Sequence, residues 1–310
     1  MSDADPTLLR RLEAAHYRIV GALYGCRSRL TAHGLWIRSD HVDDPEWNHL
    51  GRLESAGEEG RASRGRNRVL PTPDEVLDTA TERARQAGRR PTVALSSLSR
   101  RRELVGALER RGWQPSYRHV WLIAAEAPDA RGVDPDPPPG VTIHTVSGAA
   151  MLADFLDVFR EVFAAGDAEG AAGYRAALEA STHAGDDTVV VHYLAACDGA
   201  PCGIASAVYV DGVAGGFNLG VLPRARGRGV GAALTARRRA RARRAGNDLV
   251  YLITEDPAVE ASQLRRGHRR AMTTEGWSLQ ASSPQGELDP PRDEPPADVE
   301  VPGDAGGERE

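Results

Sequence analysis

Lysine is absent from the sequence, and all 39 basic residues are arginine. A GC-rich genome produces such a bias, and no mechanism follows from it. Cysteine is scarce too. Cys26, Cys197 and Cys202 are too few for a disulfide framework. The neighbourhood of Cys197 and Cys202 also lacks the further Cys or His ligands that zinc would want, so no metal is expected. These two residues flank a turn, CDGAPC, and could pair, but in a cytosolic chain two reduced thiols are expected. Aromatic residues make up 5% of the chain, and no apolar run is long enough to span a bilayer. The opening MSDADPTLLRRLEAA does not read as a signal peptide, so the expected location is the cytoplasm.

What is present suits two medium domains within 310 residues. The net charge of -5 is unevenly spread: from Ala281 to Glu310 nine acids face two arginines, which leaves the body slightly positive. Neither balance suggests a nucleic-acid or membrane partner. Helical spacing of Leu8, Leu9, Leu12, Ala15, Ile19 and Leu23 predicts a helix over Asp5–Tyr24. A strand over Gly34–Ser39 follows, then an acidic loop ending in Pro45-Glu46-Trp47-Asn48-His49, read as a packed Trp with capping side chains. Residues Ser55–Val69 read as a polar loop. Pro73-Asp74-Glu75 opens a helix running to about Gln86. Beyond it come a strand (Pro91–Ser96), a helix (Arg100–Arg111) stopped at Gly112-Trp113, and a strand (Ser116–Ala124).

Three consecutive prolines mark a linker over Ala125–Gly140. The second half repeats the mixed pattern. A strand (Val141–Thr145) and helices over Ala149–Phe163 and Ala168–Ala180 precede a meander (Thr188–Cys197, Gly203–Val210, Val213–Val221). Its turns are Asp198-Gly199 and Asp211-Gly212. Phe163–Gly170 is the sort of segment that lines a substrate entrance. A helix over Val230–Ala245, a strand over Asp248–Thr254 and a closing helix over Gln263–Glu275 complete it. The closing helix would end at Gly276-Trp277, the counterpart of Gly112-Trp113, and so reveal a weak internal duplication. Six arginines between Arg237 and Arg244 wrap most of their helix and read as a solvated face, not a nucleic-acid stripe.

The richest stretch lies between Phe217 and Gly246. A strand is stopped by Pro223, a basic glycine-rich turn follows, and then a helix. Arg226-Gly227-Arg228-Gly229-Val230-Gly231 reads R-x-x-G-x-G. Glycines admit an anion close to the backbone, and the N–H groups opening a helix cradle it. A diphosphate is the natural guest. A dinucleotide fingerprint would instead want G-x-G-x-x-G followed by an acidic residue.

The segment resembles the acyl-CoA motif of the GNAT superfamily of N-acyltransferases, with Val221, Pro223, Arg226, Gly227, Gly229 and Gly231 at the matching positions. FNLGVLPRARGRGVGAALT is similar in particular to actinobacterial two-domain members with a degenerate first copy. The resemblance implies an α+β fold of tandem domains, each a mixed, mostly antiparallel sheet flanked by helices. The first (1–124) would lack a CoA loop and help form the acceptor pocket. The linker (125–140), the acyl-CoA domain (141–280) and an acidic, disordered tail (281–310) would follow. The resemblance also implies acyl-CoA contacts from Leu219, Val221, Leu222, Arg226, Gly227, Arg228, Gly229, Val230, Gly231 and Ala232, with some helix arginines near the 3′-phosphate. Acyl transfer needs a fixed thioester, a donor to its carbonyl oxygen and a base for the ammonium. Many relatives carry a glutamate on the strand before the loop, and here Val213–Leu222 has none. The tyrosine that many place four residues before the glycine–aromatic pair would fall at Met272, which cannot donate a proton. Glu255, at the end of its strand, and Asn218 are the candidate catalytic residues, with a water chain as the alternative base. The lone His268 and Tyr174 read as structural. The expectation is an acetyl-CoA-dependent acyltransferase acting on a small-molecule amine, a monomer or homodimer. The alternative is a GNAT-fold protein that binds CoA without turnover.

Overall fold

Asp5 caps the first helix by accepting from the Thr7 N–H, and Gly25 ends it at φ 65°. Between them α1 (Pro6–Tyr24) buries the stripe formed by Leu9, Leu12, Ile19 and Leu23. A computed structural model describes residues 5–53, 71–99, 101–125, 136–164, 166–181 and 189–280. The expected loop at 55–69, most of the linker and the acidic tail lie outside these.

The first half continues with β1 (Cys26–Leu30), β2 (Leu35–Ser39), a 3-10 turn (Pro45–Trp47) and β3 (Asn48–Gly51). Then come α2 (Pro73–Ala87), β4 (Thr92–Ser96), α3 (Arg101–Arg110) and β5 (Trp113–Ala125). The second half comprises β6 (Val141–Thr145), α4 (Gly148–Phe163), α5 (Ala168–Ser181), β7 (Val189–Cys197), β8 (Ala200–Val210) and β9 (Val213–Val221). It closes with α6 (Val230–Arg244), β10 (Leu249–Thr254), α7 (Pro257–Arg265) and β11 (Arg269–Leu279). Both expected hairpin turns carry positive φ at Asp and Gly, at Asp198-Gly199 and Asp211-Gly212, which is the primed-turn geometry that matches strand twist.

Two expectations are corrected. No helix spans Gln263–Glu275: α7 starts eight residues after Leu249, capped by Asp256 with Pro257 in its first turn, and ends before Gly267 at φ 85°. Beyond that glycine the chain runs on as β11, a strand with Ala271 and Met272 in the core. Gly276 is not a helix stop, because a Cβ there would lie 2.1 Å from the Tyr117 ring. It is the gap into which that ring fits. The true counterpart of Gly112, at φ 74°, is Gly267. The second correction concerns Cys197 and Cys202, which form a disulfide across the β7–β8 turn with Cα atoms 5.8 Å apart. That separation suits a bridge.

All strands join one sheet, in the order β1-β2-β3-β4-β11-β5-β10-β9-β8-β7-β6. Among the described residues only β3/β4 and β9/β10 are parallel, so each half contains one parallel step at the same place in its element order. The halves exchange their last strands. β11 of the second half lies between β4 and β5, and β5 of the first half lies between β11 and β10. On one face α1, α4 and α5 bury Leu12, Phe155 and Leu178 against Ile204, Val208 and Tyr251. On the other, α6 places Val230 and Leu234 against Ala205, Ala207 and Tyr209. A third cluster packs α2 and α3 on Val93, Leu95, Trp113 and Trp277. The exchanged β5 and β11 therefore share one core.

Candidate active site

The site is built where β9 leaves β10. Their parallel register runs from Val213↔Leu249 to Gly216↔Leu252 and ends there, while β10 stays paired to β5 as far as Thr254↔Val120. The β8–β9 ladder slips at the same level, between Ile204 and Ser206, and Asn218 stands at φ 52°. An extra residue in one strand bends it and re-aims its backbone groups. Residues 218–221 consequently lie past the last β9–β10 pair, where the two strands part.

The bulge is held from both faces. On the α1 side the Tyr24 hydroxyl donates to Asn218 Oδ1 (2.7 Å), and Asn218 Nδ2 donates to Ser206 Oγ (3.1 Å). Ser206 continues to His192 Nδ1 (2.8 Å), and His192 Nε2 to Ser181 Oγ (3.0 Å), which donates to Leu178 O (2.8 Å). Each member is satisfied by the next, as buried polar groups require. Burial lowers the His192 pKa to about 4, so the ring is neutral and serves as donor on one side and acceptor on the other. On the α6 side Arg238 Nη1 donates to Ser206 O and Phe217 O, both at 3.2 Å. The guanidinium is buried, and desolvation lowers its pKa to about 10. This corrects the reading of the α6 arginines as one solvated face: Arg238 is a core clamp, and Arg241 lies over the Tyr209 ring at 5.8 Å.

After Leu222 a 3-10 turn (Pro223–Ala225) leads into the glycine loop. Gly227 and Gly229 have φ of 77° and 79°, where an L side chain is strained. Arg226 Nε donates to Val221 O (3.3 Å), and Arg228 pairs with Asp198 (2.9 Å). No side chain caps α6, so its first N–H groups, from Val230, Gly231 and Ala232, point outward with the positive end of the dipole. The contrast with α2, the equivalent helix of the first half, is sharp. There Pro73 lacks an N–H, and Thr72 and Glu75 form a complete capping box that takes the N–H groups of both. Leu222 departs from the rest of the loop, since its side chain is in the core and its N–H is spent on Cys202 O (2.9 Å).

The first half supplies the other wall. Trp47 Nε1 donates to the Tyr174 hydroxyl (2.8 Å), which donates to Asp44 Oδ2 (3.2 Å), and the Trp47 and Tyr24 rings lie 4.5 Å apart. Beside them Glu46 Oε1 accepts from His119 Nε2 (3.0 Å). Glu255 joins this pair: a carboxylate oxygen of Glu46, one of Glu255 and a ring nitrogen of His119 all lie within 4.8 Å of one another. Burial raises the Asp44 pKa, with Glu46 adding to it. For His119 burial works against the charged form, but the Glu46 hydrogen bond and the charges of Glu46, Glu255 and Asp44 outweigh it and leave the pKa raised.

Of the sequence candidates, Asn218 is at the bulge and Glu255 is exposed at the mouth. Tyr174 is part of the same wall. The glycine stop at Gly267 moves the position four residues earlier from Met272, a core residue of β11, to Gln263. That side chain is 2% exposed, and among the described residues its Oε1 has no hydrogen-bond partner. Asn48 is structural, bonding Ser39 N, Val42 O and Asp44 O. Gly166 and Ala168, from the expected entrance segment, line a cleft of about 660 Å³ with Leu222 and Arg224. Sequence reasoning misses Asp44, Glu46, His119 and Tyr24 as site residues. The acid-Pro-acid-Trp run at 44–47 is their one local signal, because His119 and Tyr24 arrive from elements far apart in the chain.

Residues 152–264 match the family model described as Acetyltransferase (GNAT) family. No curated protein matches the chain. Among solved structures, the chain is similar to a GCN5-related N-acetyltransferase from Kribbella flavida, with TM-score 0.60 and 18% identity over 87% of this chain and 95% of that one. A tandem GNAT protein from the clavulanic acid biosynthesis pathway gives TM-score 0.53 and 16% identity over 83% and 79%. A GCN5-related N-acetyltransferase from Sphaerobacter thermophilus gives TM-score 0.53 and 15% over 81% of each.

Proposed function

We propose, for a chain that carries a GNAT-superfamily domain and has the GNAT fold throughout its described length, that it moves an acetyl group from acetyl-CoA to the amine of a small molecule. The uncapped start of α6 behind the glycine loop is the observation that carries this reading. The diphosphate would lie on the N–H groups of residues 230–232, with Arg226 and Arg228 beside it. The pantetheine arm would run along the groove between β9 and β10, pairing with main chain at Leu219 and Val221. A backbone N–H at the bulge would then face the thioester oxygen, where charge develops in the transition state. The acceptor would enter from the opposite face, between Trp47, Tyr174 and Glu255. The three carboxylates there, Asp44, Glu46 and Glu255, suit a cationic amine. CoA would bind in the second half, since in the first Pro73 lacks an N–H and the capping box of α2 takes the Thr72 and Glu75 N–H groups.

Calorimetry with acetyl-CoA, followed by thiol release across an amine panel, tests the reading. Acetyl-CoA is expected to bind, and amines to provoke release. Arg226→Glu is expected to weaken acetyl-CoA binding by about tenfold or more, since it sets a negative charge against the diphosphate. Unchanged affinity in that variant would sink the loop assignment. Binding without release would favour the protein that senses CoA.

A further inference from the structure

We propose that His119, brought to the mouth by the first half, takes the proton from the acceptor's ammonium, and that Glu46 positions it. The inference rests on the acyltransferase reading above. It assigns the base to an element outside the segment that matches the family.

The geometry is that of a histidine with one nitrogen committed and one free. Glu46 accepts from Nε2, which fixes the proton on that nitrogen and leaves Nδ1 as the basic lone pair. Among the described residues Nδ1 has no hydrogen-bond partner. The ring is held in place: it is 7% exposed, and the Tyr117 ring lies 4.9 Å away. It is also held at the right place. β5 runs beside β10 to Val120↔Thr254, so the next residue on each strand, His119 and Glu255, stands where β10 ends and the groove opens. From there a continuous wall leads to the bulge, from Glu46 through its neighbour Trp47 and the Tyr24 ring to Asn218.

The step balances without a further reactant. The ammonium N–H breaks and its proton passes to Nδ1, directly or through one water. The amine lone pair attacks the thioester carbon, the C–S bond breaks as the tetrahedral intermediate collapses, and the thiolate leaves. As the amide forms, the nitrogen sheds its second proton to the leaving thiolate, and the imidazolium proton passes to solvent. Glu46 stabilises the imidazolium while it exists.

The groups around His119 give the pH dependence its sign. Glu46 and Asp44 face it from the 3-10 turn and Glu255 from the end of β10. Tyr117 flanks it on its own strand. His49 on β3 and His16 on α1 are kept neutral by burial, at about 4 and about 3. Arg118, the next residue, pairs with Glu275. The surplus of carboxylates raises the His119 pKa, so the base form accumulates at higher pH than in an ordinary histidine. Activity should therefore rise with pH through a value above about 6.5.

The experiment compares the full chain with His119→Gln, Glu46→Gln and Glu255→Gln, measuring acetyl-CoA affinity, thermal midpoint and the pH profile of amine-dependent thiol release. His119→Gln should keep acetyl-CoA affinity, lose about 100-fold or more in turnover and lose the acid limb. Glu46→Gln removes the two largest causes that raise the pKa, so its acid limb should move to lower pH. If His119→Gln does not fold, that shift decides the matter. A wild-type profile in Glu46→Gln would overturn the proposal. So would a larger loss in Glu255→Gln than in His119→Gln, which would give the base to Glu255, or abolition of wild-type activity by a chelator, which would give the three side chains to an ion. A wild-type chain that binds no acetyl-CoA would remove the acyltransferase reading itself, a result distinct from all of these.

Discussion

At the level of single residues, the site depends on one backbone conformation that most amino acids resist. Asn218 holds φ 52° while its amide bonds Tyr24 and Ser206. Asn is among the few residues that visit this region readily. Replacing it with Ala removes two hydrogen bonds and loses the tolerance of Asn for this left-handed conformation, a cost of about 2–3 kcal/mol. Gly deletes the same bonds but tolerates the backbone. Chemical denaturation should therefore rank Asn218→Gly as more stable than Asn218→Ala, with both below wild type and both slower in thiol release. The reverse order would mean that the bulge is not strained at this residue. Sequence alone can place Asn218 on the strand before the loop. It cannot show that both ends of its amide are spoken for, because Tyr24 and Ser206 meet it only in the fold. The same holds for Arg238, which looks like its five arginine neighbours in sequence. It differs only because its carbon stem happens to lead under Gly216, where a Cβ would touch the guanidinium at 2.9 Å.

Among the elements, the two equivalent helices α2 and α6 differ in how they begin, and the proposed function turns on that difference. Thr72 and Glu75 satisfy the first donors of α2 internally; Gly229 leaves those of α6 open. Thr72→Ala should cost about 1 kcal/mol of stability by denaturation while acetyl-CoA affinity stays put. Gly229→Ala should do the opposite on the binding axis. It forces φ 79° on an L residue and brings a Cβ to 3.0 Å from Pro138, so the loop must shift and affinity must fall. Equal affinities in calorimetry would refute the claim that this helix start holds the diphosphate. Most elements, including these caps, are legible locally: proline, acids and glycine mark the ends of α2, and two Asp-Gly pairs mark the hairpins. The last helix is misplaced by sequence because Gly276-Trp277 imitates a helix stop. The competing signals, Asp256-Pro257 as a start and Gly267 as an end, are both present in the chain. Only the Tyr117 ring, lying on Gly276 from another strand, explains why a glycine stands inside β11.

For the molecule as a whole, the strand exchange makes the halves mutually dependent, and no local pattern carries that information. Strand order is set by which edges find partners, and β5 and β11 are each long, β-branched or aromatic-rich and acceptable to either half. Once exchanged, β11 draws its hydrogen bonds from β4 and β5, and β10 draws one side of its ladder from β5. Trp277 packs in the same cluster as Trp113 and Leu95 of the first half. A fragment of residues 136–280 alone would keep the glycine loop but leave β11 without either neighbour and β10 with an open edge. Unpaired edges of that kind recruit other chains. The fragment should therefore aggregate or unfold without a cooperative transition. Co-expression with residues 1–135 should yield a one-to-one complex that binds acetyl-CoA. A monomeric 136–280 with a cooperative melt would show that the exchange is dispensable for folding. If that fragment also released thiol at the full rate, the first half would lose the part in catalysis given to His119 and Glu46, because both residues would be missing from the active species.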